Sequence, residues 1–260
     1  MKKVRNKKME LIRLVILLIV FVVVAYFAIG RMVFPRRRSY STLDGLVKLS
    51  VSDNVEVAML YLSNPQAKYT VLFNHGNYED LGTLDDFLEE YRRNGFAVLA
   101  WDYRGYGLSG GRPTEANVIA DAREVFDFMT DELGIDPQRI IVHGRSVGCG
   151  PACDLASTID CGGLIVESGF MSVFSTRLPW VGLWGDQFVN LDKIAEVKCP
   201  KLFIHGKLDR TVRFNHALRM YEKAKEPKSY LWLENAGHND ILWQAEDEFW
   251  QAIVDFSEGK

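Results

Sequence analysis

The segment Arg139-Ile-Ile-Val-His-Gly-Arg-Ser-Val-Gly-Cys-Gly-Pro-Ala holds a serine between two glycines at the spacing G-x-S-x-G. An apolar, β-branched run breaks at Gly144, and a helix-compatible run begins after Ser146. In that strand-turn-helix context the turn strains the serine backbone and stands its Oγ at the carboxyl edge of a sheet. The chain passes so close on either side that only Gly144 and Gly148, lacking Cβ, fit. The N–H of Val147 opens the following helix, so a donor without an intrahelical partner and the positive helix end both face an oxyanion formed beside Ser146. A second match, Gly107-Leu-Ser-Gly-Gly, puts Ser109 before Gly110, Gly111, Arg112 and Pro113, which is loop chemistry. Ser146 is the candidate nucleophile, and its bland rival is a small-residue strand-to-helix turn that does no chemistry.

A serine hydroxyl is a poor nucleophile at neutral pH and needs an imidazole base held by a carboxylate. Of the five histidines, His75 and His205 end strands before glycines, His143 lies inside the elbow strand and His216 sits among helical residues; each reads as structural. His238, in Asn235-Ala-Gly-His-Asn-Asp, follows the last strand in a small-residue loop and is the candidate base. Asp209, just after the preceding strand, gives the chain order Ser, Asp, His and is the candidate acid, ahead of Asp186, Asp192 and Asp240. The second oxyanion donor is expected from the loop after the first parallel strand, His75-Gly76-Asn77, with the Asn77 N–H first and Tyr78 as runner-up. No histidine or carboxylate cluster falls at ligand spacing, so neither metal nor cofactor is expected.

These residues need a sheet to hold them. Leu46 to Val51 and Val55 to Leu62 alternate with period two and read as an antiparallel pair turning at Asp53-Asn54. Thr70 to Phe73, Phe96 to Trp101, the elbow strand, Gly163 to Val166, Lys201 to Ile204 and Tyr230 to Leu233 read as strands. Between them lie helical stripes, Leu84 to Tyr91 stopping at Gly95, and Val118 to Leu133 capped by Thr114. A final amphipathic helix runs through Leu242, Ala245, Phe249 and Phe256. Alternating strands and helices imply an α/β fold: a mostly parallel sheet with helices on both faces. Residues 170–190, holding Phe170, Met171, Phe174, Leu178, Trp180, Leu183, Trp184 and Phe188, read either as a short lid or as one more helix packed on the sheet.

With 260 residues and 48% hydrophobic content the chain can bury one large core. A net charge of −3 and no aromatic-interleaved basic stripe make nucleic acid an unexpected partner. The four cysteines show neither metal spacing nor the density of a disulfide scaffold and read as small buried thiols. The uninterrupted apolar run Leu14 to Gly30, with Lys2, Lys3, Arg5, Lys7 and Lys8 before it and Arg36, Arg37 and Arg38 after it, reads as one transmembrane helix. A cleaved signal peptide is the rival. Residues 1–13 are then a basic segment, 14–30 the anchor, 31–45 a linker and 46–260 a catalytic domain. The basic excess at the amino end orients that domain to the non-cytoplasmic side.

His75-Gly-Asn, Asp102-Tyr-Arg-Gly-Tyr-Gly-Leu-Ser, Gly144-Arg-Ser-Val-Gly-Cys-Gly-Pro-Ala, His205-Gly-Lys-Leu-Asp and Gly237-His-Asn-Asp stand in order over about Val55 to the end. In these the chain resembles the α/β-hydrolase superfamily, in its serine-aminopeptidase-like branch with membrane-associated and protein-depalmitoylating members. The resemblance implies triad roles for Ser146, Asp209 and His238, and makes Asp102 to Ser109 a structural loop near the site. It departs at Tyr78, where relatives usually carry a small residue, so the acyl pocket is expected to be narrower. The expected activity is a membrane-anchored serine hydrolase cleaving a carboxylic ester or thioester, with a small-molecule or lipid-like acyl substrate. Tyr78, Phe170, Met171, Trp180 and Trp184 are the expected pocket and lid residues. A serine aminopeptidase and a non-catalytic binding protein of the same fold are the alternatives.

Overall fold

The computed structural model describes residues 9–10, 12–20, 24, 33–35, 45–176 and 185–260. It divides into two units, Met1–Pro35 and Arg36–Lys260. In the first, residues 12–20 are helical and the apolar side chains of 14–20 are exposed. Among the described residues no helix is long and apolar enough to cross a membrane, and most of the second half of the Leu14–Gly30 run lies outside them.

The described residues of the second unit form eight strands: β1 (Leu46–Val51), β2 (Val55–Leu62), β3 (Thr70–Asn74), β4 (Ala97–Trp101), β5 (Ile140–Arg145), β6 (Gly163–Glu167), β7 (Lys201–Gly206) and β8 (Lys228–Leu233). They hydrogen-bond in the order β1-β2-β4-β3-β5-β6-β7-β8. β2 runs antiparallel to both its neighbours, and every pair from β4 to β8 is parallel. The opening pair turns through Asp53 and Asn54 at φ 62° and 55°, positions that short polar side chains tolerate. Every residue of β3, β4 and β6 is buried, as a strand covered on both faces requires.

Among the described residues, six helices cover the sheet: α1 (Asp85–Arg93), α2 (Glu115–Asp131), α3 (Cys149–Thr158), the single turn α4 (Asn190–Lys193), α5 (Asn215–Lys223) and α6 (Ile241–Glu258). Leu88 and Tyr91 of α1 and Ile241, Phe249, Trp250 and Ile253 of α6 bury against Val71, Phe73, Val98, Ile165 and Ile204 on one face. α2 and α3 pack on each other and on the opposite face. Thr114 caps α2 as its sequence predicts: its Oγ1 accepts the Asn117 N–H at 3.3 Å and the Asn117 Oδ1 accepts the Thr114 N–H at 2.7 Å. α6 stops at Gly259 with φ 77°.

One buried guanidinium ties the antiparallel end of the sheet to the helical layer. Arg104, 4% exposed, lies just beyond β4 and donates from Nε and Nη2 to the two oxygens of Asp121 on α2, both at 2.8 Å. Its Nη2 also reaches the Ser52 Oγ at 2.8 Å, and its Nη1 the Asp53 carboxylate at 3.1 Å. The planar fork fits a carboxylate in a way that an ammonium group cannot. Removing it would strand the fully buried Asp121. Arg104→Ala is therefore expected to lower unfolding free energy by about 3–5 kcal/mol, with Arg104→Lys recovering only part. Equilibrium urea denaturation followed by tryptophan fluorescence reads this, and an unchanged midpoint in the alanine variant would contradict it.

Candidate active site

The strand order reverses about β3: β4 lies on one side of it and β5 on the other, so the connections leaving their carboxyl ends part and open a crevice there. The chain leaving β3 is His75-Gly76-Asn77, and the chain leaving β5 is Ser146-Val147-Gly148. Asn74, fully buried at the end of β3, laces the neighbouring strand ends together. Its Nδ2 donates to the His143 carbonyl at 3.1 Å and its Oδ1 accepts the Trp101 indole N–H at 3.0 Å. The loop beyond it hangs on two buried tyrosines. Tyr103 donates to the His75 carbonyl at 2.6 Å and Tyr106 to the Asn77 carbonyl at 3.1 Å, while the His75 ring stacks on Tyr103 with centroids 4.1 Å apart.

Ser146 turns at φ 52°, in the left-handed region, and opens a 3-10 turn Ser146–Gly148 that runs into α3. Both glycines of the motif are forced. A Cβ on Gly144 would lie 2.5 Å from the Gly148 carbonyl, and one on Gly148 would overlap the Asn74 carbonyl and come within 2.8 Å of that of His75. The elbow thus rests directly on the backbone of the β3 loop. Val147 is the second residue of the helical turn, where an N–H has no intrahelical acceptor.

At the end of β7, Gly206 plays the same steric part for the other half of the site, since a Cβ there would overlap the Ala236 carbonyl and approach that of Gly237 to 2.7 Å. That contact sets the β8 loop against the β7 loop. Asp209, 5% exposed, accepts the N–H groups of Thr211 and Val212 on Oδ1, each at 2.8 Å. On Oδ2 it accepts the His238 Nδ1–H at 2.6 Å. Burial pushes its pKa up, but His205, His238 and the Val212 N–H outweigh burial and hold the carboxyl well below the usual range. With the proton on Nδ1, the His238 Nε2 is an acceptor, and the Ser146 hydroxyl donates to it at 3.0 Å. Asp240 braces the same loop by accepting the Gly237 N–H at 2.6 Å.

Ser146, His238 and Asp209 therefore form one hydrogen-bonded chain, and Asn77 and Val147 lie on the two segments that Gly148 brings into contact. Tyr78 is 64% exposed, whereas Phe170 and Met171 are buried just beyond β6. The two feet of the 170–190 excursion are tied: the Val173 N–H donates to the Gln187 carbonyl at 2.8 Å and the Asn190 side chain to the Phe170 carbonyl at 3.1 Å. Leu178, Trp180, Leu183 and Trp184 lie outside the described residues. Ser109 is buried in its loop, its hydroxyl donating to the Asp102 carbonyl at 2.7 Å and accepting the Ala58 N–H at 2.8 Å. The second glycine-serine-glycine match is a structural hydroxyl.

Sequence reasoning passed over a group of charges behind the elbow. Arg145, the residue before Ser146, donates from Nε to Glu167 at 2.8 Å and from Nη1 to Glu79 at 2.9 Å. Glu167 also meets the His143 Nε2 at 3.0 Å, and the Nδ1 of that ring faces the Tyr91 hydroxyl. Burial lowers the His143 pKa; burial would raise that of Glu167, but Arg145 and His143 bring it down to about 2. A signal was present: a charged residue at the end of a buried strand needs a partner, and Arg145 and Glu167 end adjacent strands in register.

A family model described as serine aminopeptidase, S33, matches residues 65–190. Alpha/beta hydrolase domain-containing protein 17C of Mus musculus is 36% identical over 208 residues, covering 79% of this chain and 65% of that protein. Its Xenopus tropicalis counterpart is 39% identical over 186 residues, covering 70% of this chain and 60% of that protein. The chain thus spans less than two thirds of the length of these relatives. Among solved structures, an esterase from Pyrococcus furiosus superposes with a TM-score of 0.72 at 20% identity, covering 86% of this chain and 98% of that one. An esterase from Exiguobacterium antarcticum does so with a TM-score of 0.64 at 15% identity, covering 82% and 99%. At such identities the superpositions speak for fold.

An organofluorophosphonate is expected to attach to Ser146 and not to Ser109, and His238→Ala to slow attachment by on the order of 10⁴. Peptide mapping of the adduct by mass spectrometry reads the position; a label on the Ser109 peptide would reverse the assignment.

Proposed function

Given that the chain belongs to the α/β-hydrolase superfamily, we propose that it is a membrane-anchored serine hydrolase cleaving a carboxylic ester or thioester through an acyl-enzyme on Ser146. The observation that carries the reading is the hydrogen-bonded chain from the Ser146 Oγ through His238 to Asp209, on a serine held at positive φ. His238 takes the hydroxyl proton as the Oγ attacks the carbonyl carbon. The oxyanion that forms is met by the N–H groups of Val147 and Asn77. Collapse of the tetrahedral intermediate expels the alcohol or thiol, which takes the proton from His238, and leaves the acyl group on Ser146. Water, deprotonated by the same imidazole, then releases the acid. Asp209, kept ionised, holds the Nδ1–H tautomer and stabilises the imidazolium formed in each half-reaction.

The preference for an apolar acyl group rests on the chemistry of the 170–190 segment. Phe170 and Met171 are buried at its foot, and its sequence continues through Leu178, Trp180, Leu183 and Trp184 without a clustered negative charge for a peptide ammonium group. These residues, with Tyr78 beside Asn77, border the acyl group in this reading. An aminopeptidase is the second reading, prompted by the description of the matched family.

Anchoring rests on the sequence, since the run Leu14 to Gly30 is apolar throughout and flanked by basic residues. The catalytic unit then lies on the non-cytoplasmic side.

Two measurements test these proposals. Short- to medium-chain acyl esters are expected to give a higher kcat/KM than amino-acid arylamides, and Trp184→Ala to change chain-length preference more than turnover of a small acetyl ester. A clear preference for the amides would favour the peptidase. The full chain is expected to stay with membranes through alkaline carbonate washing, and a mature amino terminus at Arg31 would instead mark a cleaved signal.

A further inference from the structure

Asn77 can serve an oxyanion only if its N–H is held in one direction. That N–H belongs to the peptide whose carbonyl is that of Gly76, and in a trans peptide the two point opposite ways. The Gly76 carbonyl accepts from the His75 Nδ1–H at 2.7 Å and from the Glu79 N–H at 3.3 Å, so the aim of the Asn77 N–H is set by what holds the turn Gly76–Glu79. The Glu79 carboxylate closes that turn. Its Oε2 accepts the Gly76 N–H at 2.6 Å and its Oε1 accepts the Arg145 Nη1 at 2.9 Å.

Arg145 precedes Ser146 directly, and its own position is over-determined. Its guanidinium carbon lies 4.1 Å from the centre of the Phe87 ring and 5.2 Å from that of Phe73, and its Nε is bound to Glu167. Glu167 is in turn held by His143, and His143 by Tyr91 on α1. We propose that Glu79 is a positioning residue of the acyl-transfer site: its carboxylate bridges the backbone of the loop that carries Asn77 to the guanidinium beside Ser146, and fixes the two oxyanion donors relative to each other.

The inference rests on the hydrolase reading above and extends it to residues that touch no substrate. Glutamine at this position has one acceptor oxygen where the carboxylate has two, so either the Gly76 N–H or the Arg145 Nη1 faces an amide N–H₂. The guanidinium charge draws the amide oxygen to Arg145, so the acceptor is lost in the loop while Glu167 and the aromatic rings still hold Arg145. The effect belongs in kcat, because the oxyanion exists only along the reaction path.

The experiment measures kcat and KM for p-nitrophenyl acetate, the thermal midpoint, and the affinity for a trifluoromethyl ketone whose adduct carries an oxyanion. It uses the full chain and Glu79→Gln, Glu79→Asp, Arg145→Gln and the double variant Glu79→Gln/Arg145→Gln. Glu79→Gln is expected to lower kcat by roughly 10- to 100-fold with KM within about threefold, and to weaken the ketone in parallel. The double variant should lose no more than Arg145→Gln alone, since both substitutions break one linkage. Glu79→Asp, which keeps the charge, should recover part of kcat and supplies a folded comparison if the glutamine variant is unstable. Wild-type kcat in Glu79→Gln, losses that multiply in the double variant, or a fall in kcat matched by an equal fall in folded fraction would overturn the role of Glu79 alone. A wild-type chain that neither turns over the ester nor takes a fluorophosphonate on Ser146 would overturn the hydrolase reading, and this inference with it.

Discussion

The site depends on one steric contact, the passage of Gly148 against the carbonyls of Asn74 and His75. β3 and β5 are neighbours in the sheet, so the turn leaving one must cross the loop leaving the other within the spacing of adjacent strands. Any side chain at Gly148 would push the elbow off the loop and separate Val147 from Asn77. The positive φ of Ser146 belongs to the same constraint, because the chain must reverse sharply to send α3 back along the sheet. Surrounding structure holds that conformation in place: Asn74 stitches three strand ends together, and Tyr103 and Tyr106 hold the loop from the far side.

The second half of the site repeats this logic with a different glycine. Gly206 lets the β8 loop close over the end of β7, and the imidazole of His238 is thereby carried to Ser146 from a residue 92 positions away. Asp209 needs no mobile side chain to orient it, because two backbone N–H groups fix one of its oxygens and leave the other for His238. A carboxylate so solvated by the protein remains charged despite its burial.

Charge burial beneath the elbow follows a different rule. Arg145, Glu167, Glu79 and His143 lie together behind the elbow, and each meets another member of the group. Breaking one member out of such a group leaves the others as uncompensated buried charges, which favours a single arrangement of the set. Here the set spans β5, β6 and the β3 loop, the parts that carry Ser146 and Asn77.

Local pattern in the sequence was enough for most elements. Period-two and period-three-or-four spacing marked the opening pair, the strands from Thr70 onward, and the helices that became α1, α2 and α6, because each pattern reflects which face of that segment is buried. The immediate neighbours of Ser146 set its turn apart from the loop around Ser109, and His238 and Asp209 became candidates through their places after successive strands. Other features depended on contacts between distant segments. That β4 lies outside β3 is a matter of strand exchange, which no single segment records. Ser109 became a bridge between Ala58 and Asp102 only when β2 came alongside β4. The linkage of Glu79, Arg145 and Glu167 joins residues up to 88 positions apart, on two strand ends and the β3 loop, and which charge meets which is decided only when the sheet registers them. The sequence by itself determined which residues are candidates for the chemistry, because that follows from side-chain type and local turn geometry; the tertiary structure decided what holds those candidates together, because hydrogen bonds across strand ends exist only after the strands have paired.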